Sequence, residues 1–296
     1  MLRHGYMHSP IPWREVDLGL THGIHICPSL SQPPDIVIFY CHGGGFSMGS
    51  GFFYLEFLIA WVSMLKDAGY RNPAIFSLEY TLVPDETFPK QLEQTFTGYE
   101  FASTLAGDAS RLCVSGDSAG GTLILSLLLY LSENGDQTRG SKPAFAALIS
   151  PWTNLQSDLN RDTPSDYLNS DSLHLYGRQY AGSLANLKHP LVSPGTCEDG
   201  TWWMRASPSA GFGILFGSEE VLGPEMRKLI ALLRTNGCKV GVREDSGGIH
   251  AWPVVTLFLS DTQAERQRGL KDLVKMIKQA IPTDPVDDSL LNGKGS

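Results

Sequence analysis

Apolar residues along this chain fall into two alternating kinds of run. Short, nearly unbroken runs occupy residues 36–41, 74–79, 111–115, 144–150, 212–217 and 239–243. Longer stretches with apolar residues at helical spacing occupy 54–68, 90–105, 120–132, 224–235 and 261–279. Short continuous runs suit strands buried on both faces, and spacings of three and four suit helices with one apolar stripe. Strands alternating with helices predict a mostly parallel central sheet flanked by helices, an α/β fold. Ahead of it, residues 14–18 and 24–27, joined through 19–23, predict an antiparallel hairpin.

The alternation breaks at residues 150–208, rich in Pro, Asp, Ser and Asn, with one helical patch at 172–181. A connection this long inside a compact domain is usually a functional insertion. Residues 151–208 are therefore expected to be a lid or cap within a single domain spanning 1–296. The polar, Gly- and Asp-rich tail after Ile281 is expected to fray.

Composition narrows the class. With 42% hydrophobic and 18% charged residues, the chain suits a soluble globular protein with a sizeable core. A net charge of −8 and the lack of a Lys/Arg cluster argue against nucleic acid as a partner. The most apolar stretch, 123–131, is too short to span a bilayer, and 1–12 lacks the apolar core of a secretory signal. A cytoplasmic protein is the expectation. Cys27, Cys41, Cys113, Cys197 and Cys238 are odd in number and scattered, which fits free thiols and no metal site.

Gly116-Asp117-Ser118-Ala119-Gly120 has the pattern G-x-S-x-G, flanked by a strand candidate before and an apolar helix candidate after. A strand–turn–helix setting is what holds a serine hydroxyl in an exposed, strained position as a nucleophile. A serine needs a base to take its proton and an acid to orient that base. Of eight histidines, only His174, His189 and His250 follow Ser118. His250 lies in a Gly-rich loop after the last strand candidate, where a projecting imidazole fits, whereas His174 and His189 fall in the insertion. The acid should follow strand candidate 212–217, where Glu219 and Glu220 compete, the second 30 residues before His250. Asp199, Asp245 and Glu225 lie off that loop. His42-Gly43-Gly44-Gly45-Phe46 follows the first long strand candidate, and its glycines can present unobstructed N–H groups to a developing oxyanion. His42 is expected to fix that loop.

Taken together, these motifs resemble the hormone-sensitive-lipase-like family of α/β-hydrolases. His42 to Phe46 resembles the family's oxyanion motif, and Gly116 to Gly121 its nucleophile motif. Glu79-Tyr80-Thr81-Leu82-Val83-Pro84-Asp85-Glu86, with Phe88-Pro89, resembles a stretch that the family carries between them. The resemblance implies an α/β-hydrolase fold, a triad of Ser118, Glu220 and His250, and oxyanion N–H groups from Gly44, Gly45 and Ala119. Glu220-Val221-Leu222 stands where the family usually has aspartate followed by Pro-Leu. Either carboxylate can hold an imidazole tautomer.

The implied function is a serine esterase: hydrolysis of carboxylic esters of small to bulky organic molecules through an acyl-enzyme, with no metal or cofactor. The same machinery also suits a lactonase, thioesterase, amidase or acyltransferase, since the fold does not fix the substrate. A receptor-like binding module is the alternative from another class. Phe46 and Tyr54, with Phe52 and Phe53, are expected to line the substrate mouth. A lid supplied partly by a second protomer, as a homodimer, is the alternative to one built from the insertion alone.

Overall fold

A computed structural model of the chain describes residues 9–134 and 142–283, so the tail from 284 onward, expected to fray, lies outside the described residues. The chain opens with strands β1 (Trp13–Leu18) and β2 (Thr21–Ile26), an antiparallel hairpin. Strand β2 starts three residues earlier than its hydropathy suggests. Its Gly23 backs directly onto Phe76 and Ser77 of the neighbouring strand, so pairing rather than side-chain hydropathy sets its start.

Six further strands follow: β3 (Ile36–Cys41), β4 (Pro73–Leu78), β5 (Leu112–Asp117), β6 (Phe145–Ile149), β7 (Phe212–Gly217) and β8 (Val240–Asp245). They form one sheet in the order β1-β2-β4-β3-β5-β6-β7-β8. The pairings from β4 to β8 are all parallel, and β2 joins β4 antiparallel. Central strands such as β3 are buried throughout, while the edge strands β1 and β8 are mostly exposed or half-buried, with one buried residue each, Val16 and Asp245. This is the division expected between strands covered on two faces and strands that meet water.

Helices cover both faces. Helices α1 (Leu55–Asp67) and α8 (Gln263–Ala280) bury Phe57, Trp61, Leu270, Leu273 and Ile277 in one core, with Ile36, Ile38 and Tyr40 of β3. Helices α2 (Lys90–Ala106), α3 (Ala119–Glu133) and α6 (Gly223–Thr235) bury Tyr99, Leu123, Leu127 and Leu229 in the other, with Val37, Phe39 and Cys41 of the same strand. Alternate residues of one strand thus feed opposite cores, as a two-residue side-chain period requires.

Residues 151–208 contain helix α4 (Ser170–Ala181), matching the helical patch and capped by the Asn169 side chain, and a short helix α5 (Gly200–Ala206) that hydropathy does not reveal. Helix α7 (Trp252–Leu259) is a separate element after His250. Its sequence is apolar all round, so it carries no helical period to read. The parallel topology brings the C-terminal ends of β3, β5, β6, β7 and β8 to one edge of the sheet. Ligand crevices of open α/β sheets form at that edge.

Candidate active site

Ser118 sits in the turn between β5 and α3 with φ 51 and ψ −118. A non-glycine residue in that region costs on the order of 1–3 kcal/mol and persists only when its surroundings hold it there. They do. Its N–H donates to Ile149 O at 3.0 Å, and its carbonyl accepts from Thr122 N at 3.2 Å and Trp152 N at 3.0 Å. The helix that follows packs so closely on β3 that a Cβ at Gly120 would collide with the Cys41 carbonyl. Glycine at that position is what allows α3 to start against the end of the sheet.

Beside this turn lies the loop from His42 to Phe46. Gly44 takes φ 110 and Gly45 φ 61, and the Gly44 carbonyl accepts from Ser47 N and Met48 N, both at 3.1 Å. Among the described residues, the N–H groups of Gly44, Gly45 and Ala119 have no hydrogen-bond acceptor. Ala119 opens α3, where unsatisfied amides carry partial positive charge.

Asp117 anchors the loop. Its carboxylate accepts from Tyr40 Oη at 2.6 Å, Gly43 N at 2.8 Å and Tyr54 Oη at 2.8 Å. Burial pushes its carboxyl above the usual range, and the three donors offset only part of that. His42 stacks on Tyr80 with ring centroids 4.4 Å apart and bonds its Nδ1 to Gly43 O at 2.7 Å. Burial lowers its pKa to about 4, so it is a neutral brace. Nothing in the sequence marks Asp117 for this role except an acidic residue where a buried strand meets a buried helix.

Two expected mouth residues are placed differently. Phe46 is fully buried, stacked on Tyr180 of α4 at 3.8 Å, and Tyr54 is buried against Asp117. Each finds an internal partner that hydropathy does not show. Of that aromatic run, Phe53 is the exposed member, at 66%. It meets Phe258 of α7 at 6.1 Å, and Met48, Tyr167 and Leu259 are exposed as well.

Glu220 and His250 meet at 3.2 Å, Oε2 to Nδ1, both buried. Glu220 follows β7, and His250 lies on the loop after β8. The other oxygen of Glu220 accepts from Ser150 Oγ at 2.5 Å and Gly217 N at 2.6 Å. Ser150 sits at the end of β6 with φ 44, and its hydroxyl also accepts from Ala251 N at 2.9 Å. One serine thus touches both Glu220 and the loop that carries His250. Burial alone would lower the His250 pKa, but the hydrogen bond and charge of Glu220, with Asp166 and Asp117, raise it above its ordinary value.

The rival residues are occupied elsewhere. Glu219 pairs with Ser218 Oγ, and Asp199 caps α5. Glu225 takes Ser157 Oγ and Asn154 Nδ2, and Asp245 takes the two terminal guanidinium nitrogens of Arg268, Nη1 and Nη2. His174 bonds Ser157, and His189 accepts from Leu191 N. Among the described residues no group of His, Cys, Asp and Glu has a metal-holding arrangement, all five cysteines are free, and no helix is long and apolar enough to cross a membrane.

Comparison with known proteins fits this architecture. A family model described as alpha/beta hydrolase fold matches residues 38–254. An acetyl-hydrolase of Streptomyces hygroscopicus is 28% identical over 219 residues, covering 73% of this chain and 67% of that protein. Hormone-sensitive lipase of Mus musculus is 31% identical over 125 residues, covering 41% of this chain and 15% of that protein. The crystal structure of an esterase from the bacterial hormone-sensitive lipase family superposes with a TM-score of 0.77 at 22% identity, covering 95% of this chain and 88% of that one. The chain belongs to the α/β-hydrolase family and is hormone-sensitive-lipase-like within it. The matched stretches span from 15% to 67% of these two curated relatives' lengths.

Proposed function

We propose that this chain hydrolyses carboxylic esters through an acyl-enzyme formed on Ser118. The observation that carries the reading is the buried Glu220–His250 pair, on the same sheet edge as a strained serine turn and three amides without acceptors. His250 takes the Ser118 proton as the hydroxyl attacks the ester carbonyl, and Glu220 holds the imidazole by Nδ1 and stabilises the imidazolium. The N–H groups of Gly44, Gly45 and Ala119 receive the oxyanion, each worth about 3 kcal/mol in the transition state. The protonated His250 then gives its proton to the departing alkoxide. Water, deprotonated by the same imidazole, returns Ser118 and releases the acid.

Residues 151–208 act as a cap, with Tyr176 and Tyr180 of α4 lying against Gly45 and Phe46 of the oxyanion loop. Packing there restricts depth, while Met48, Phe53, Tyr167, Phe258 and Leu259 leave an exposed apolar rim. A short acyl group with a bulky apolar alcohol suits such a mouth. The name of the Streptomyces relative, an acetyl-hydrolase, agrees with a small acyl group.

Nitrophenyl esters from acetate to palmitate test both parts. Butyrate should turn over faster than palmitate, and Ser118→Ala should lose at least about 10³-fold in kcat while remaining folded. A fluorophosphonate probe should label Ser118 and no other residue. Undiminished turnover in Ser118→Ala would overturn the nucleophile assignment. Faster hydrolysis of palmitate would overturn the short-acyl reading alone.

A further inference from the structure

Asp166 lies in the cap segment, more than 50 residues from Glu220 and more than 80 from His250 in sequence, yet its carboxylate reaches both loops. Oδ2 accepts from Val221 N at 2.9 Å, the amide next to the acid. Oδ1 accepts from His250 N at 3.3 Å, the amide of the base itself. The neighbouring Tyr167 donates its hydroxyl to His250 O at 3.2 Å and sets its ring 5.9 Å from the imidazole. Around this point the cap is stitched on further. Thr163 Oγ1 donates to Glu219 O at 2.7 Å and accepts from Asp166 N at 3.2 Å, and Arg161 N donates to Val221 O.

We propose that Asp166 is a positioning residue that ties the acid loop to the base loop, so that the cap sets the geometry of the Glu220–His250 pair as well as covering the site. The two loops are also joined directly, Glu219 N donating to Gly248 O at 3.0 Å, Ser218 N to Asp245 O at 2.8 Å and Gly247 N to Ser218 Oγ at 2.9 Å. Those bonds reach neither the Val221 nor the His250 amide, and both of these are held by Asp166. His250 sits on a loop whose own backbone turns left-handed at Ala251, φ 51. On the Glu220 side the loop is short, and its acid reaches the base through a single 3.2 Å contact. Ser150 bridges them from the sheet side by Glu220 Oε1 and Ala251 N. Asp166 bridges them from the solvent side by two backbone amides. A carboxylate accepting two N–H groups makes charge-assisted bonds, stronger than neutral ones, and fixes two backbones at once. Misplacing a general base by about 1 Å is enough to cost on the order of 10²-fold in rate.

The charged groups facing His250 are Glu220 from the loop after β7, Asp117 from the end of β5 and Asp166 from the cap, with the Tyr167 phenol beside them. All three carboxylates favour the imidazolium. Removing Asp166's charge therefore leaves His250 easier to deprotonate, and activity, which needs the neutral imidazole, should persist to lower pH.

The inference rests on the triad reading above, and the experiment separates the two. Wild type, Asp166→Asn, Asp166→Ala and Tyr167→Phe are assayed with nitrophenyl acetate and butyrate across pH, with melting temperatures measured in parallel. Asp166→Ala should lower kcat about ten- to hundredfold with KM changed less than about threefold. Asp166→Asn, which keeps one acceptor, should lose less. Both should move the acidic limb of kcat/KM down by about half a pH unit. Tyr167→Phe should leave the limb in place. If Asp166→Ala melts early, the isosteric Asp166→Asn alone still reports through its limb. The proposal is overturned if Asp166→Asn keeps both kcat and the limb at wild-type values while Ser118→Ala is inactive. A fully active Ser118→Ala would instead bring down the triad reading itself.

Discussion

The two halves of the site are held by different physics, and a buried histidine in each makes the contrast plain. The half that carries Ser118 and the loop from His42 to Phe46 is built on β3, β5 and α3, and is fixed by backbone packed closely on backbone and by the Asp117 carboxylate. Its histidine, His42, is stacked on Tyr80 and buried, and its pKa falls to about 4. The half that carries Glu220 and His250 is built from loops after β7 and β8, joined by backbone bonds of Ser218 and Glu219 to Asp245 and Gly248 and by side-chain bonds from Ser150 and Asp166 that reach the Glu220 carboxylate and the Val221, His250 and Ala251 amides. Its histidine is equally buried, yet its pKa is raised, because carboxylates face it. Burial disfavours charge in both cases, and the neighbours decide the outcome. One imidazole is a brace held neutral, and the other, in the mechanism we propose, accepts a proton.

The largest expected effect comes from striking the backbone-packed half. Gly120→Ala places a methyl group against the Cys41 and His42 carbonyls, with no side chain able to move aside. It should destabilise the fold by about 3 kcal/mol or more and abolish activity, as read by thermal melting and ester turnover. A folded, active Gly120→Ala would mean that the two halves do not differ in rigidity as the packing indicates.

A strike on the loop half should leave the fold and remove the chemistry. Glu220→Gln should lower kcat by about 10²–10⁴-fold, while Glu219→Gln stays within about twofold of wild type. The pH profile sharpens the same comparison. With the His250 pKa raised, wild-type activity should fall as pH drops through a value above 6.5. In Glu220→Gln the residual activity should extend to lower pH, since the charge that favoured the imidazolium is gone. The opposite ranking of the two glutamates would assign the acid to Glu219.

The smallest effect concerns His42. Its folded pKa lies near 4, below the ordinary 6.5, so the unfolded chain binds a proton that the native state refuses between those values. Stability from this group is present above 6.5 and is lost as pH falls toward 4. A stacked, uncharged substitute, His42→Phe, should be less stable than wild type near neutrality, and the gap should narrow by about 2 kcal/mol near pH 5 in urea unfolding. A gap independent of pH would show that His42 is not held neutral by burial.

The features that can be read along the chain are local in origin. Buried strands announce themselves by unbroken apolar runs, and the alternation of those runs with helical spacing dictates a parallel α/β sheet. The turn at Ser118 and the loop at His42 to Phe46 are legible because each needs glycine at fixed places, for a close approach at Gly120 and a positive φ at Gly44. The features that emerge only on folding are pairwise and long-range. Phe46 and Tyr54 read as mouth aromatics until Tyr180 and Asp117 supply internal partners. Ser150 carries no pattern that foretells a left-handed backbone or a bond to Glu220, and Asp166 looks like any acid in a polar insertion. Helix α7 is apolar on every side, so its period is invisible. A hydrogen bond between residues 70 or 84 apart in sequence leaves no periodicity to read, because chain topology and not local preference creates the meeting.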